Sequence, residues 1–178
     1  MAVYPLPFYE KQNYHYGGIR FGASRDSGRT HAACDLIAPP GTPVYSVEGG
    51  TVLLVPKKAF FQNTFTVVIQ HNGFTIRYGE LDQNRLVLEG KYYPRGTQIG
   101  VVGKNNKGRG MLHLEMYKGD ASGPYSQPWN NKFDNVKDGN YQRRRDLLDP
   151  TDYLDKWKLW TDWSRYSCAE PEEMNYSE

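Results

Sequence analysis

This 178-residue chain has no apolar run approaching the roughly 20 residues that a membrane-spanning helix needs. Cysteine is scarce. Cys34 and Cys168 are compatible with one disulfide in an oxidising compartment, but two cysteines do not make a disulfide framework. Neither charge sign is in excess: 22 Lys and Arg face 20 Asp and Glu, for a net +2. That balance gives no electrostatic case for nucleic acid as a partner, and contact with an anionic polymer fits it no better than an ordinary surface does. The opening Met1-Ala2-Val3-Tyr4-Pro5-Leu6-Pro7 has neither the basic region nor the apolar core of a secretory leader, so no signal peptide is expected in it. Long helical periodicity is also scarce. Internal repetition is limited to a loose echo between Gly41-Thr42-Pro43-Val44 and Gly96-Thr97-Gln98-Ile99.

Turn formers and aromatics are plentiful, with 18 Gly, 11 Pro and 14 Tyr, and they imply a mostly β chain. The length suits one domain with a real core. Residues 1–30 read as a polar loop or short edge hairpin. From Leu36 onward short strands follow one another. Gly41 to Val47 and Thr51 to Val55 read as two β-runs joined by the turn Glu48-Gly49-Gly50. Asn72-Gly73 between Phe65-Thr66-Val67-Val68-Ile69 and Phe74-Thr75-Ile76-Arg77-Tyr78 is a strong hairpin signal, because both turn residues must tolerate positive φ. Met111 to Tyr117 alternates cleanly: Leu112, Leu114 and Met116 share one face, and Met111, His113, Glu115 and Tyr117 share the other. Residues 118–145 read as a long surface loop, long enough to suggest one wall of a cleft. A helical turn is expected after Pro150, with Trp157, Trp160 and Trp163 at spacing three packing residues 155–178 back on the domain. The last residues, 169–178, read as frayed.

The chemistry centres on residues 31–35. His31 and Asp35, four apart at the start of a strand, offer an imidazole and a carboxylate, and His113 on its alternating strand offers a second imidazole. Two imidazoles and one carboxylate suit a zinc ion that keeps its fourth position for water, the open arrangement that hydrolysis needs. Glu80 is the candidate general base for that water. If the strand continues regularly, Tyr78 shares the face of Glu80 and can donate to a developing oxyanion. Cys34, beside Asp35, is expected to face the core. His15 reads as a solvated loop residue and His71 as a surface residue at the hairpin turn.

Taken in order, these segments resemble the lysostaphin/LytM-type zinc metallopeptidases, which cut peptide bonds in bacterial peptidoglycan. The resemblance runs from about His31 to Leu154. It is carried by His31-Ala32-Ala33-Cys34-Asp35, Ala38-Pro39-Pro40-Gly41-Thr42-Pro43-Val44, Gly49-Gly50-Thr51-Val52 and Val67 to Gly73. Gly96-Thr97-Gln98-Ile99-Gly100, Leu112-His113-Leu114-Glu115 and Asp149-Pro150-Thr151 complete it. The resemblance implies an open, barrel-like antiparallel core over residues 31–154, zinc on His31, Asp35 and His113, and a peptidoglycan peptide as substrate. It implies action in the periplasm or at the cell wall. A dedicated secretion route, as for an antibacterial effector, is then one way out of the cell. A monomer is expected, and no immunity partner is identified.

Two positions depart from the family pattern. Met111 and Glu80 stand where the family usually has catalytic histidines, and Met111 cannot transfer a proton. Alongside hydrolysis, a non-enzymatic scaffold that binds cell wall or a partner therefore remains open. So does a purely structural zinc closed by Glu80 or Cys34 as fourth ligand.

Overall fold

The computed structural model describes residues 1–8, 12–132, 134–162 and 164. Among these residues, two short 3-10 turns (Gly17–Ile19 and Asp26–Gly28) precede twelve strands and one α-helix: β1 (Cys34–Ile37), β2 (Pro43–Tyr45), β3 (Gly50–Leu54), β4 (Phe65–Gln70), β5 (Phe74–Leu81), β6 (Tyr92–Tyr93), β7 (Gln98–Val101), β8 (Met111–Lys118), β9 (Gln127–Pro128), β10 (Asn135–Asp138), β11 (Tyr141–Arg144), β12 (Leu147–Leu148) and α1 (Thr151–Trp160). The main sheet is antiparallel, in the order β1-β8-β5-β4-β3-β6, with β12 added on β8. The expected mostly β, antiparallel architecture with one short C-terminal helix is the one observed. Among the described residues, no helix is long and apolar enough to cross a membrane.

Strand alternation builds the core. Leu112, Leu114 and Met116 on β8 are fully buried, and with Leu36, Val67, Ile69, Ile76 and Tyr78 they form one face of the main sheet's core. Cys34 lies on this face, as its place beside Asp35 predicts. Burial pushes its thiol up to about 11, and its sulfur meets Thr151 Oγ1 rather than the Asp35 side of the sheet. Cys168 lies outside the described residues. The N-terminal segment is part of the same core: Tyr4, Leu6 and Tyr14 are buried, and the Tyr4 N–H donates to Thr161 Oγ1 at 2.7 Å, just beyond α1. Pro150 sets the entry to α1, where the Thr151 N–H is taken up by Asp149 Oδ1 at 2.9 Å. Of the tryptophans at spacing three, Trp157 is buried and stacks on Phe74, Trp160 is about half exposed, and Trp163 lies outside the described residues.

Several expectations need correction. The runs either side of Glu48-Gly49-Gly50 do not form a hairpin. β2 pairs with β7, while β3 joins β4 and β6 in the main sheet. The sequence echo explains the β2·β7 pair. Pro39-Pro40-Gly41-Thr42 and Pro94-Arg95-Gly96-Thr97 each make a tight turn with glycine at positive φ, +88° and +74°. In each turn the Thr N–H returns to the Pro carbonyl, at 3.1 and 3.2 Å. The two turns launch the two strands that pair with each other. Residues 118–145 are not a plain loop either. They carry a three-stranded antiparallel sheet in the order β10-β11-β9.

His71 is not a surface residue. It is 5% exposed, with Nδ1 3.3 Å from the Gly49 carbonyl and Nε2 3.2 Å from the Tyr78 hydroxyl. Tyr78 in turn accepts the Val47 N–H at 3.1 Å, so this pair bridges the hairpin to the segment between β2 and β3. Gly50 makes room for it, since a Cβ there would lie 2.7 Å from His71 Nδ1 and 2.5 Å from the Gln70 carbonyl.

Burial lowers the His71 pKa from 6.5 to about 4, against the opposing pull of the Gly49 and Glu48 carbonyls. Between those values the unfolded chain binds the proton and the folded chain does not, so stability rises with pH. The contribution is complete above about pH 6.5, is lost as pH falls toward 4, and amounts to at most about 3 kcal/mol. Urea unfolding of chelator-treated protein at several pH values should show this slope, and His71→Gln should flatten it while lowering stability at neutral pH.

Candidate metal centre

The site is assembled by β8 lying between β1 and β5. Directly opposed residues of antiparallel strands point to the same face. Asp35 opposes His113, and His113 opposes Gly79 on the other side. Gly79 leaves the space in front of the His113 ring open, since a Cβ there would come within 3.2 Å of that side chain and 3.0 Å of Phe60. His31 arrives from the segment before β1. Its backbone is held at both ends, by His31 N–H to Ala23 O and by Gly22 N–H to His31 O, each at 2.8 Å.

The three donor groups converge. His31 Nε2 and His113 Nδ1 lie 3.1 and 2.8 Å from Asp35 Oδ1, and 3.4 Å from each other. No other group of three or more His, Cys, Asp and Glu side chains among the described residues is arranged to hold a metal. The remaining ring nitrogens are committed elsewhere: His31 Nδ1 is 2.8 Å from the Arg20 carbonyl and His113 Nε2 is 3.0 Å from Glu115 Oε1. With those nitrogens donating, the lone pairs of His31 Nε2 and His113 Nδ1 point into the site, which is how outer partners fix metal-binding imidazoles. Cys34 faces the core, so the fourth-ligand role considered for it is not available.

Behind His113 the carboxylate chain continues. Glu115 is 2% exposed, meets Arg77 Nη1 at 3.3 Å and accepts a short hydrogen bond from the Tyr117 hydroxyl. Burial pushes Glu115 up, but Arg77 and the His113 bond outweigh it and hold the carboxyl well below the usual range. Asp35 is likewise held low by His113 and His31 against the cost of burial. The Arg77 guanidinium also stacks over Phe60 at 4.3 Å, and Phe60 packs on the His113 ring at 5.4 Å.

Glu80 reaches this face only because β5 is irregular. Phe65 pairs with Leu81 and Val67 with Tyr78, so Thr66 of β4 stands opposite two residues, Gly79 and Glu80. Glu80 adopts φ +58° at this bulge. Its side chain turns into the cleft, 7% exposed, and burial raises its pKa to about 7, with the proximity of Asp35 adding to the rise and His113 opposing it. Regular alternation would have sent it into the core. Tyr78 does go there, so it does not share the face of Glu80 and has no route to an oxyanion. Gly103 pins the bulge through its N–H, 2.8 Å from the Glu80 carbonyl. Met111 lines the same cleft two residues before His113, whereas His15 lies outside it, paired with Asp155.

The cleft, of about 450 Å³, is closed on one side by Tyr141 and Arg143 of β11 and by Ser126, just before β9. Asp138 and Arg143 grip Thr30, the residue before His31. The Thr30 N–H donates to Asp138 Oδ1 at 2.9 Å, and Arg143 Nη2 donates to the Thr30 carbonyl at 3.0 Å. Glu115 was legible as a neighbour of His113 from the period-two pattern alone. Arg77, Gly103 and the Thr30 clamp depend on registers and returns that no local pattern carries.

The profile of Peptidase family M23 matches residues 29–128, more than half of the chain, and this stretch contains His31, Asp35, Glu80, Met111 and His113. The chain belongs to peptidase family M23. Two curated relatives, the peptidoglycan DD-endopeptidases ShyB and ShyA of Vibrio cholerae, are each 36% identical over 88 residues. That stretch is 48% of this chain and 20% of each relative, so the match spans only a fifth of their length. Among solved structures, a zinc containing peptidase from Vibrio cholerae is 28% identical with a TM-score of 0.53, over 66% of this chain and 37% of that one. Lysostaphin from Staphylococcus simulans, 16% identical, shares the fold with a TM-score of 0.59 over 91% of this chain and 58% of that one.

The bulge is open to a direct test. A Cβ on Gly103 would lie 2.8 Å from the Leu81 carbonyl and 2.9 Å from the Glu80 carbonyl oxygen. Gly103→Ala should cost about 1–3 kcal/mol in urea unfolding, since backbone cannot yield as a flexible side chain does. A crystal structure of the variant should show Glu80 displaced and His31, Asp35 and His113 unmoved.

Proposed function

We propose that this chain is a zinc-dependent endopeptidase that hydrolyses peptide cross-links of bacterial peptidoglycan, with His31, Asp35 and His113 as metal ligands and Glu80 as general base. The observation that carries the reading is the set of three inward-facing donors beside a buried carboxylate in an open cleft. The donor set suits zinc: two nitrogens with their tautomers fixed by Arg20 O and Glu115, and one carboxylate oxygen kept ionised. When bound, zinc supplies a Lewis acid and lowers the pKa of a coordinated water.

The chain's own residues supply proton transfer and rigidity. Glu80, buried in the cleft beside the three donors, takes the proton of the attacking water and returns it to the leaving amine. Glu115 and Arg77 hold the His113 ring in place, and Phe60 covers one side of it. Tyr78 plays no part in the chemistry. With Met111 unable to move a proton, Glu80 carries both proton transfers. The similarity to peptidoglycan DD-endopeptidases supports a cell-wall substrate, and with it action in the periplasm or at the wall. A scaffold without catalysis is the second reading, and Met111 in the cleft is the observation that favours it.

Purified peptidoglycan digested by the zinc-loaded protein should lose cross-linked peptides while glycan strands stay intact, and a strong chelator should abolish the loss. Glu80→Gln should lower the rate about a hundredfold or more while zinc stays bound, as removal of a general base does. His113→Ala should release the metal. A folded, zinc-loaded protein that yields no products would leave the scaffold reading in its place.

A further inference from the structure

Four arginines line the cleft: Arg25, Arg29, Arg77 and Arg143. Three of them are committed. Arg77 is neutralised by buried Glu115, and Arg143 by Asp138 at 2.9 Å with further bonds to Ser126 and the Thr30 carbonyl. Arg25 donates to the Gly18 carbonyl and reaches Asp35 Oδ2 at 3.4 Å. Arg29 differs. Among the described residues it has neither an ion pair nor a side-chain hydrogen bond, and its guanidinium rests over the Tyr141 ring, 4.8 Å from the centroid.

Its backbone is nevertheless fixed. The Arg29 carbonyl accepts the Arg25 N–H at 2.9 Å, and the next residue, Thr30, is gripped by Asp138 and Arg143. A cation stacked on a ring and carried by a clamped backbone has given up much of its freedom before any ligand arrives. It stands two residues before His31, on the wall of the same cleft. Stacking leaves the edge of the guanidinium, with its fork of N–H donors, available to a planar anion.

We propose that Arg29, seated on Tyr141, is the anchor for a free carboxylate of the substrate, and that the cleft takes acidic peptides in preference to neutral ones. This rests on the endopeptidase reading above and deepens it. The recognised group is a carboxylate flanking the scissile bond, held in bidentate fashion by Arg29. Tyr141 fixes the plane of the guanidinium and so acts as a positioning residue.

Two substrates decide the matter: a cross-linked muropeptide dimer with its free carboxylates, and the same dimer with those carboxylates amidated. The zinc-loaded protein should hydrolyse the acidic dimer with a kcat/KM about tenfold or more higher, the difference residing in KM, as loss of a charge-assisted bidentate contact implies. Arg29→Gln should collapse that ratio toward one, and Arg29→Lys should restore part of it. Equal rates on both dimers, or a ratio that survives Arg29→Gln, would overturn the proposal. Titration calorimetry of both dimers against zinc-loaded Glu80→Gln protein, with and without Arg29→Gln, separates the two readings. If neither dimer is hydrolysed, the endopeptidase reading fails, while the presence or absence of an Arg29-dependent preference in binding still decides the carboxylate site.

Discussion

The pairing of β8 between β1 and β5 is the constraint on which the site depends. Antiparallel pairing sets opposed residues on one face at a spacing close enough for their side chains to meet. Asp35 and His113 are such a pair, and Gly79 completes the row with a position that has no side chain. One step along β8, the pair Glu115 and Arg77 stands on the same face and supports the His113 ring from behind. A one-residue slip of β8 would send His113 and Glu115 into the apolar core and bring Leu112 and Leu114 out. The burial of Leu112, Leu114 and Met116 therefore enforces the metal-facing geometry, because the same alternation serves both faces.

The bulge at Glu80 is where the protein departs from that regularity. A non-glycine residue at positive φ costs on the order of 1 kcal/mol or more and persists only when its surroundings hold it there. Gly103 does so through its N–H, and the absence of a Cβ on Gly103 lets the two backbones meet. The consequence is a division of labour between neighbours in the chain. Tyr78 stays in the core and, with His71, ties β5 to the segment after β2. Glu80, two residues on, enters the cleft.

That division also marks the limit of what is legible in the sequence. Period-two alternation is enough to find the two faces of β8 and the core side of Cys34, and the Asn72-Gly73 turn signal is enough to find the hairpin between β4 and β5. Those are local properties of strands and turns, and the structure brings His31, Asp35 and His113 together accordingly. Tyr78 and Glu80 part company because β5 is broken between them, and a bulge leaves no mark in the local pattern beyond the nearby Gly79. A hairpin turn is usually solvated, whereas at His71 the close approach of Gly50 on β3 buries the ring, and no local pattern announces that approach. The β2·β7 pairing was visible only as an echo of two turns, since nothing in either strand names its distant partner. The small sheet within 118–145 has strands of only two to four residues, too short for alternation to register.

The electrostatics of the cleft link these supports to metal binding. Burial works against a charged His113, yet the bonds to Asp35 and Glu115 prevail and raise its pKa to about 9. Without a metal, these bonds favour the protonated ring, which donates from Nδ1 to Asp35 and from Nε2 to Glu115. Only the first of these protons stands where the proposed metal would bind. The second remains on Glu115 in either state, so the ring keeps its orientation as the Nδ1 proton leaves. Metal binding then exchanges one proton for a divalent ion on an already formed frame, and its affinity must fall as pH drops. Glu115 thus does two opposed things: it strengthens the proton that competes with the metal, and it aims the lone pair that the metal uses. Arg77 moderates the first effect by sharing the Glu115 carboxylate, while the hydrogen bond that performs the second is left intact.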